Sequence, residues 1–471
     1  MKFQSALLLL LVTPAITFNP PTPLPRPLSR KLSIVSKDRV ASTSLLALPD
    51  SQRVVITGVG VVSGCGVEKD EFWNNVQNGV SSISKITRFS LEKYPLTCQV
   101  ASEVPPSFDA TLKQCFTNIK SIKSNDRYTH FAVSASKSAL EDANIPIGST
   151  DPSKLGVMIG SAFGGAETFE KETLKLNENP ARPKVSPFTI PALLGNTASG
   201  IVGIECEARG PNYAVVSACA SGSHCIGEAA QMISTGQANI MLAGGTEATI
   251  TPLICAGFCA MKAMCTTYND QPEKSSRPFD LDRGGFVMGE GAGVVCLESL
   301  ESAKKRGARI YCELTGYGAS CDAHHITTPA PEGRGLADAM ERALKGKNKK
   351  IVNYVNAHGT STAYNDKFET MAIKSVFGER AGKGGDFVVS STKGVTGHTL
   401  GAAGGIEAVI ASLSIYEGVV PPTVNLETED PECDLDYVPN VKRKMEVGAA
   451  MSTNLGFGGH NAALLFEKFV E

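Results

Sequence analysis

The sequence predicts an α/β fold, and three observations lead to it. From residue 52 onward, short apolar runs bounded by glycine alternate with longer segments whose apolar residues return at helical spacing. Residues 212–219 read as a strand, a sharp small-residue turn and a helix start. Residues 388–392, before Gly394, read the same way, an echo that two related α/β halves would produce. No linker after residue 52 separates independent domains.

Composition agrees with this class. A chain of 471 residues, 42% hydrophobic and 20% charged, can bury one large core or two fused ones. The net charge of -2 and pI of about 6.4 leave no overall basic footprint, which disfavours nucleic-acid binding. A single Trp and the lack of any apolar run of spanning length argue against an integral membrane protein.

At the N-terminus, Lys2 precedes an apolar run over 6–12, too short to span a bilayer but the length of a signal-peptide core. Ala15 and Thr17 supply small residues for cleavage. The following stretch, from Phe18 to about residue 50, is rich in Pro, Ser and Thr. It carries Arg26, Arg30, Lys31, Lys37 and Arg39, and the first acidic residue of the chain is Asp38. Residues 1–17 therefore read as a signal peptide and 18–50 as a transit-peptide-like segment. The pair resembles the two-part plastid presequence of algae with secondary plastids and implies the plastid stroma; plain secretion with a linker is the alternative. Thirteen cysteines, an odd number without framework spacing, suit a reducing compartment.

Within the folded region, Arg53-Val54-Val55-Ile56-Thr57 reads as a buried strand that stops at Gly58. Residues 70–80 read as a helix with Phe72, Trp73 and Val76 on one face. Residues 128–143 form a second helical pattern, and 155–160 a short apolar strand. The Lys-rich 345–350 is expected to be a solvated connector.

The chemistry centres on Ser217-Ala218-Cys219-Ala220-Ser221-Gly222. An apolar strand enters it and a helical pattern leaves it, so Cys219 sits beside a helix N-terminus, where orphan N–H groups stabilise a thiolate. The alternative is a buried structural cysteine, the expected state of most of the other twelve. Histidine is scarce, with seven in the chain. His358 lies in Asn356-Ala357-His358-Gly359-Thr360-Ser361-Thr362 at a strand end, and His398 follows Lys393-Gly394-Val395-Thr396-Gly397. Each alone reads as structural, but two glycine-flanked histidines plus a cysteine at a turn make a candidate set for thioester chemistry. Gly58-Val59-Gly60 lacks the third glycine of a dinucleotide loop. Cys255, Cys259 and Cys265 lack partners for zinc, and His324-His325 is adjacent rather than one helical turn apart; no metal site is expected.

Together with Gly456-Phe457-Gly458-Gly459, these motifs resemble the β-ketoacyl-acyl-carrier-protein synthases, the elongating condensing enzymes of dissociated fatty-acid synthesis. The likeness extends to 54–60, 184–188, 210–212, 244–247, 276–280 and 285–291, and covers about 53–469. It implies a thiolase-like, five-layered α-β-α-β-α fold of two similar halves, 51–300 and 301–471, assembled as a homodimer. It implies that Cys219 takes the acyl group from acyl carrier protein, and that His358 and His398 assist decarboxylation of malonyl-carrier protein. Lys393 would tune this set. The backbone N–H groups of Cys219 and Phe457 would form an oxyanion hole, and Thr360 and Thr362 would contact the phosphopantetheine arm. No cofactor is implied beyond that arm.

This chain has Thr453-Asn454-Leu455 where the family usually has Asn-Ser-Phe, in what is taken as a gating loop. Phe163 falls where relatives place a residue controlling the acyl pocket, and its ring is expected to restrict chain length. Lys120, Lys123 and Arg127 are candidates for a basic surface facing acidic carrier protein. A thiolase would need a second, C-terminal cysteine, and none follows Cys433. A polyketide-type ketosynthase remains an alternative. A catalytically inactive acyl-tunnel partner subunit would lack the nucleophile that Cys219 supplies.

Overall fold

The computed structural model describes residues 48–182 and 184–471. The expected signal peptide and all but the last three residues of the transit-like segment lie outside the described residues. Ten strands form one mixed sheet: β1 (Val54–Ser63), β2 (Leu155–Gly160), β3 (Asn212–Tyr213), β4 (Ile240–Glu247), β5 (Gly291–Ser299), β6 (Cys312–Cys321), β7 (Tyr354–Asn356), β8 (Val388–Ser390), β9 (Ala449–Gly456) and β10 (His460–Glu467). Their spatial order is β8-β7-β9-β10-β6-β1-β5-β4-β2-β3.

That order is a repeat. From the centre outward, the first half runs 1-5-4-2-3 and the second 6-10-9-7-8. The pairing senses repeat as well. β1–β5 and β6–β10 are antiparallel, as are β4–β5 and β9–β10. β2 runs parallel to β3 and β4, just as β7 runs parallel to β8 and β9. The echo between 212–219 and 388–392 thus marks equivalent strands, β3 and β8. Within the sheet the halves pair through β1 and β6, at Val55–Glu313 and Ile56–Cys312.

The main helices are α1 (Lys69–Gln77), α2 (Arg127–Asp142), α3 (Ser221–Ser234), α4 (Pro252–Ala260), α5 (Arg334–Ala343), α6 (Ala363–Phe377) and α7 (Ala403–Glu417). α1 buries Phe72, Trp73 and Val76, as its spacing predicts. α2 packs on β1, β4 and β5, and α5 on β6 and β10. α3 and α7 lie between the halves, and α7 touches both β4 and β9. Those strands are five steps apart in the sheet, about 24 Å at the usual strand spacing, whereas a helix is about 10–12 Å across. The sheet therefore folds around α3 and α7, giving five layers: helices, half-sheet, central helices, half-sheet, helices. Burial explains the α7 sequence. Residues 403–415 are all buried, so the helix is apolar on nearly every side.

Two expectations change. The strand predicted to stop at Gly58 runs on to Ser63. Gly58 and Gly60 are not turn residues; they let α2 press onto the strand. A Cβ at Gly60 would lie 1.9 Å from the carbonyl oxygen of Ala135, and one at Gly58 2.2 Å from that of Ala139. β3 is only two residues long, so 214–219 approach the nucleophile turn as irregular chain. Among the described residues, no helix is long and apolar enough to cross a membrane.

Candidate active site

The repeat builds the site from equivalent places in the two halves. Phe163 and His358 follow β2 and β7. Cys219 and the Lys393–His398 segment follow β3 and β8, just ahead of the central helices α3 and α7. All four leave the C-terminal ends of parallel strands, where open α/β sheets present their clefts.

Cys219 sits on a strained turn. Ala218 before it has a φ of 51°, a left-handed conformation that side chains seldom adopt. Ser221 clamps the turn: its Oγ accepts from the Ser217 N–H at 2.8 Å and donates to the Ala218 carbonyl at 2.7 Å. Gly456, ending β9, packs against it, where a Cβ would be 2.4 Å from the Ser217 carbonyl oxygen. The chain thus aims a nearly buried thiol, 8% exposed, into the cleft.

His398 Nε2 lies 3.1 Å from Cys219 Sγ. The His358 ring meets that of His398 edge-on, with centroids 5.1 Å apart. One nitrogen from each ring and the sulfur lie within 4.8 Å of one another. The backbone fixes both rings. The His398 N–H donates to the Val287 carbonyl at 2.7 Å, and the N–H groups of His358 and Gly359 each donate to Glu369 at 2.7 Å. Lys393 is buried and ion-paired with Glu407 of α7. Asn454 Nδ2 donates to Glu407 at 2.7 Å and reaches His358 Nδ1 at 3.4 Å, while its Oδ1 accepts from Ser223. Lys393 is therefore linked to His358 through Glu407 and Asn454.

These surroundings set the charges. Burial holds His358 well below its ordinary pKa, reinforced by the Lys393 cation and by His398. Burial and Lys393 do the same to His398. Both imidazoles are neutral at neutral pH. Burial also pushes the Cys219 thiol up to about 12, against the pull of Lys393. The sequence pattern pointed to a resting thiolate; desolvation instead makes the resting group a thiol with an imidazole nitrogen beside it.

A cavity of about 820 Å³ opens onto Cys219, His358 and His398 and is also lined by Phe163, Phe457, Thr360 and Thr362. Phe163, 45% exposed, meets Phe258 of α4 edge-on at 6.2 Å. Phe258 in turn meets Phe286 at 5.2 Å and Phe457 at 6.4 Å. Thr360 and Thr362 bond each other, Oγ1 to Oγ1, at 2.9 Å. Among the described residues, the N–H groups of Cys219 and Phe457 donate to no backbone carbonyl.

Two placements differ from the sequence reading. Thr453, Asn454 and Leu455 belong to β9 rather than to a loop; the turn itself is 457–459. The Thr453 and Asn454 side chains hold Glu369 and Glu407, and Leu455 lines the cavity. Arg127 is not available to a partner, because Glu290 binds its guanidinium at 3.0 Å and only 11% of its side chain is exposed. Glu369 and Glu407 were not picked out from the sequence, and Glu247 and Asn454 were named only within longer segments, without the roles they have here. Glu407 did leave a signal, as the lone charge in the apolar run 403–415.

Comparison with known proteins gives the class. The β-ketoacyl synthase N-terminal domain model matches 51–303, and the C-terminal domain model matches 311–427. The 3-oxoacyl-(acyl-carrier-protein) synthase 2 of Synechocystis is 47% identical over 89% of this chain and 99% of its own length. That of Staphylococcus aureus strain COL is 47% identical over 90% and 100%. A crystal structure of a β-ketoacyl synthase from Burkholderia phymatum superposes with a TM-score of 0.77 at 32% identity, covering 89% of this chain and all of that one. A type II polyketide ketosynthase, solved with its acyl-carrier protein, superposes with a TM-score of 0.81 at 34% identity over the same shares. These relatives define a class of condensing acyltransferases on the thiolase-like fold. The chain belongs to the β-ketoacyl synthase family.

Proposed function

We propose that the protein condenses an acyl group, held as a thioester on Cys219, with malonyl-carrier protein in fatty-acid elongation. The observation that bears this reading is the 3.1 Å approach of His398 Nε2 to Cys219 Sγ, with His358 beside it, on one cavity. In the first half-reaction the Cys219 S–H proton passes to the departing carrier thiol while sulfur takes the acyl group. In the second, the malonyl C–C bond to its carboxylate breaks and CO₂ leaves. The bond's electrons form an enolate, which attacks the acyl carbonyl and expels the Cys219 thiolate; a solvent proton restores the thiol. Neutral His358 and His398 donate hydrogen bonds to the enolate oxygen, Lys393 keeps them neutral, and the Cys219 and Phe457 N–H groups receive the tetrahedral oxyanion. Thr360 and Thr362 line the path of the phosphopantetheine arm. No further cofactor or metal enters these steps.

The 47% relatives, named as acyl-carrier-protein synthases, favour this over polyketide assembly. Purified protein given acyl-carrier proteins of graded length and malonyl-carrier protein is expected to yield β-ketoacyl products two carbons longer. Mass spectrometry showing acyl loading without extension would overturn the reading. Phe163→Gly is expected to move the preferred length upward, because the ring projects into the cavity. Lys120 and Lys123 are exposed and remain candidates for the carrier surface.

Exposed apolar side chains at Phe188, Ile190, Leu194, Tyr213 and Val216, beside the edge strand β3, support a homodimer through that edge. The free state of all 13 cysteines suits a reducing plastid stroma, reached through residues 1–50. Fusion of those residues to a fluorescent reporter tests this, and secretion of the reporter would overturn it.

A further inference from the structure

Apart from any role in condensation, the Cys219, His358 and His398 set has the composition of a soft-metal site. Its sulfur and two ring nitrogens lie within 4.8 Å of one another. In a tetrahedral zinc site with one sulfur and two nitrogen ligands, the donor atoms are about 3.5 Å apart. The observed set is therefore within small side-chain rotations of that arrangement, and the 3.1 Å pair of Sγ and His398 Nε2 is already close to it. Glu407 pairs with the nearby Lys393 charge. The cavity opens onto the three donors and leaves a fourth position for water.

We propose that Cys219, His358 and His398 form a reversible inhibitory site for a thiophilic divalent cation such as Zn²⁺. On binding, the Cys219 S–H bond breaks, its electron pair makes the S–metal bond, and the proton goes to buffer; no electron is transferred. Sulfur so held cannot take an acyl group. Mg²⁺, which prefers oxygen ligands, is excluded by the donor set. The inhibitory role rests on Cys219 being the acyl-carrying thiol; the binding itself does not.

The test titrates full-length protein with Co²⁺ or Zn²⁺ alone. Co²⁺ is expected to produce a thiolate-to-metal absorption band at one equivalent per chain. This band is lost in Cys219→Ser and His398→Asn and kept in Cys321→Ala, which removes the exposed cysteine. In wild type, Zn²⁺ but not Mg²⁺ is expected to protect Cys219 from alkylation, read by peptide mass spectrometry and reversed by chelator; this arm needs no variant. A band that survives Cys219→Ser, or alkylation of Cys219 unchanged by Zn²⁺, overturns the proposal even if condensation is observed. Metal binding at Cys219 in a protein that does not condense would leave the site standing and remove the reading of the reaction.

Discussion

His398 and His358 face Cys219 as uncharged rings, and Lys393 contributes to that state across a buried ion pair. Cys219→Ala is expected to abolish acyl loading and lower condensation by about a thousandfold or more, measured by product formation at saturating substrate. The second residue-scale prediction concerns pH. A nearby cation disfavours imidazolium, so the wild-type acid limb of kcat lies below the ordinary histidine pKa. Replacing the pair together, Lys393→Met with Glu407→Gln, removes that cation without stranding the carboxylate. The acid limb is expected to move to higher pH, and an unmoved limb would exclude Lys393 from tuning the rings. The nucleophile, both histidines and Lys393 were legible because each lies among glycines and small residues, a local mark of close approach. The roles of Glu369, Glu407 and Asn454 were not. Each acts through a partner distant in sequence, as when Asn454 reaches Glu407 of α7, and a lone polar residue on a buried helix or strand looks like a surface residue until the layers are assembled.

At the scale of the element, the glycines are the test. Gly60→Ala drives a Cβ into the Ala135 carbonyl of α2, where only backbone could yield. A loss of about 3 kcal/mol is expected in denaturant unfolding. Gly200, in the helix Thr197–Glu205, has open space where a Cβ would point, with no atom within 4 Å, and no left-handed φ. Gly200→Ala is expected to add about 0.5–1 kcal/mol by relieving the glycine cost in a helix. Element type could be read wherever burial is one-sided, as on α1. Boundaries failed where glycine meant packing, as at Gly58, and where β3 ended after two residues because the chain turns early toward Cys219.

For the whole molecule, buried acids and bases give stability opposing pH slopes. Burial raises Glu247 and Glu369 to about 7 from 4.5, so between those values the native state holds protons that the unfolded chain has lost. Their contribution is complete below 4.5 and disappears as pH rises through 7. His358 and His398 act the other way. Below 6.5 the unfolded chain takes up protons that the native rings refuse, so their contribution falls as pH falls. Glu247 accepts from Ser161 and from the N–H groups of Ala162 and Gly401. Glu247→Gln sets a donor among these donors at a cost of about 1–3 kcal/mol. Its Tm deficit against wild type is expected to widen as pH is lowered from about 8 to about 5. The two-half architecture was legible only as a five-residue echo, because repeats that share topology need not share side chains.

The sheet order also dictates when the chain can fold. β1 is the first strand of the sheet to be synthesised, yet both of its neighbours, β5 and β6, begin more than 200 residues later. The α7 helix around which both half-sheets close comes later still, ending at Glu417. Such distant pairings form slowly, and the apolar faces of the first half stay uncovered until the last third of the chain has emerged. A truncation anywhere before α7 is therefore expected to leave no soluble half, read as the share of truncated chain found in the pellet after expression.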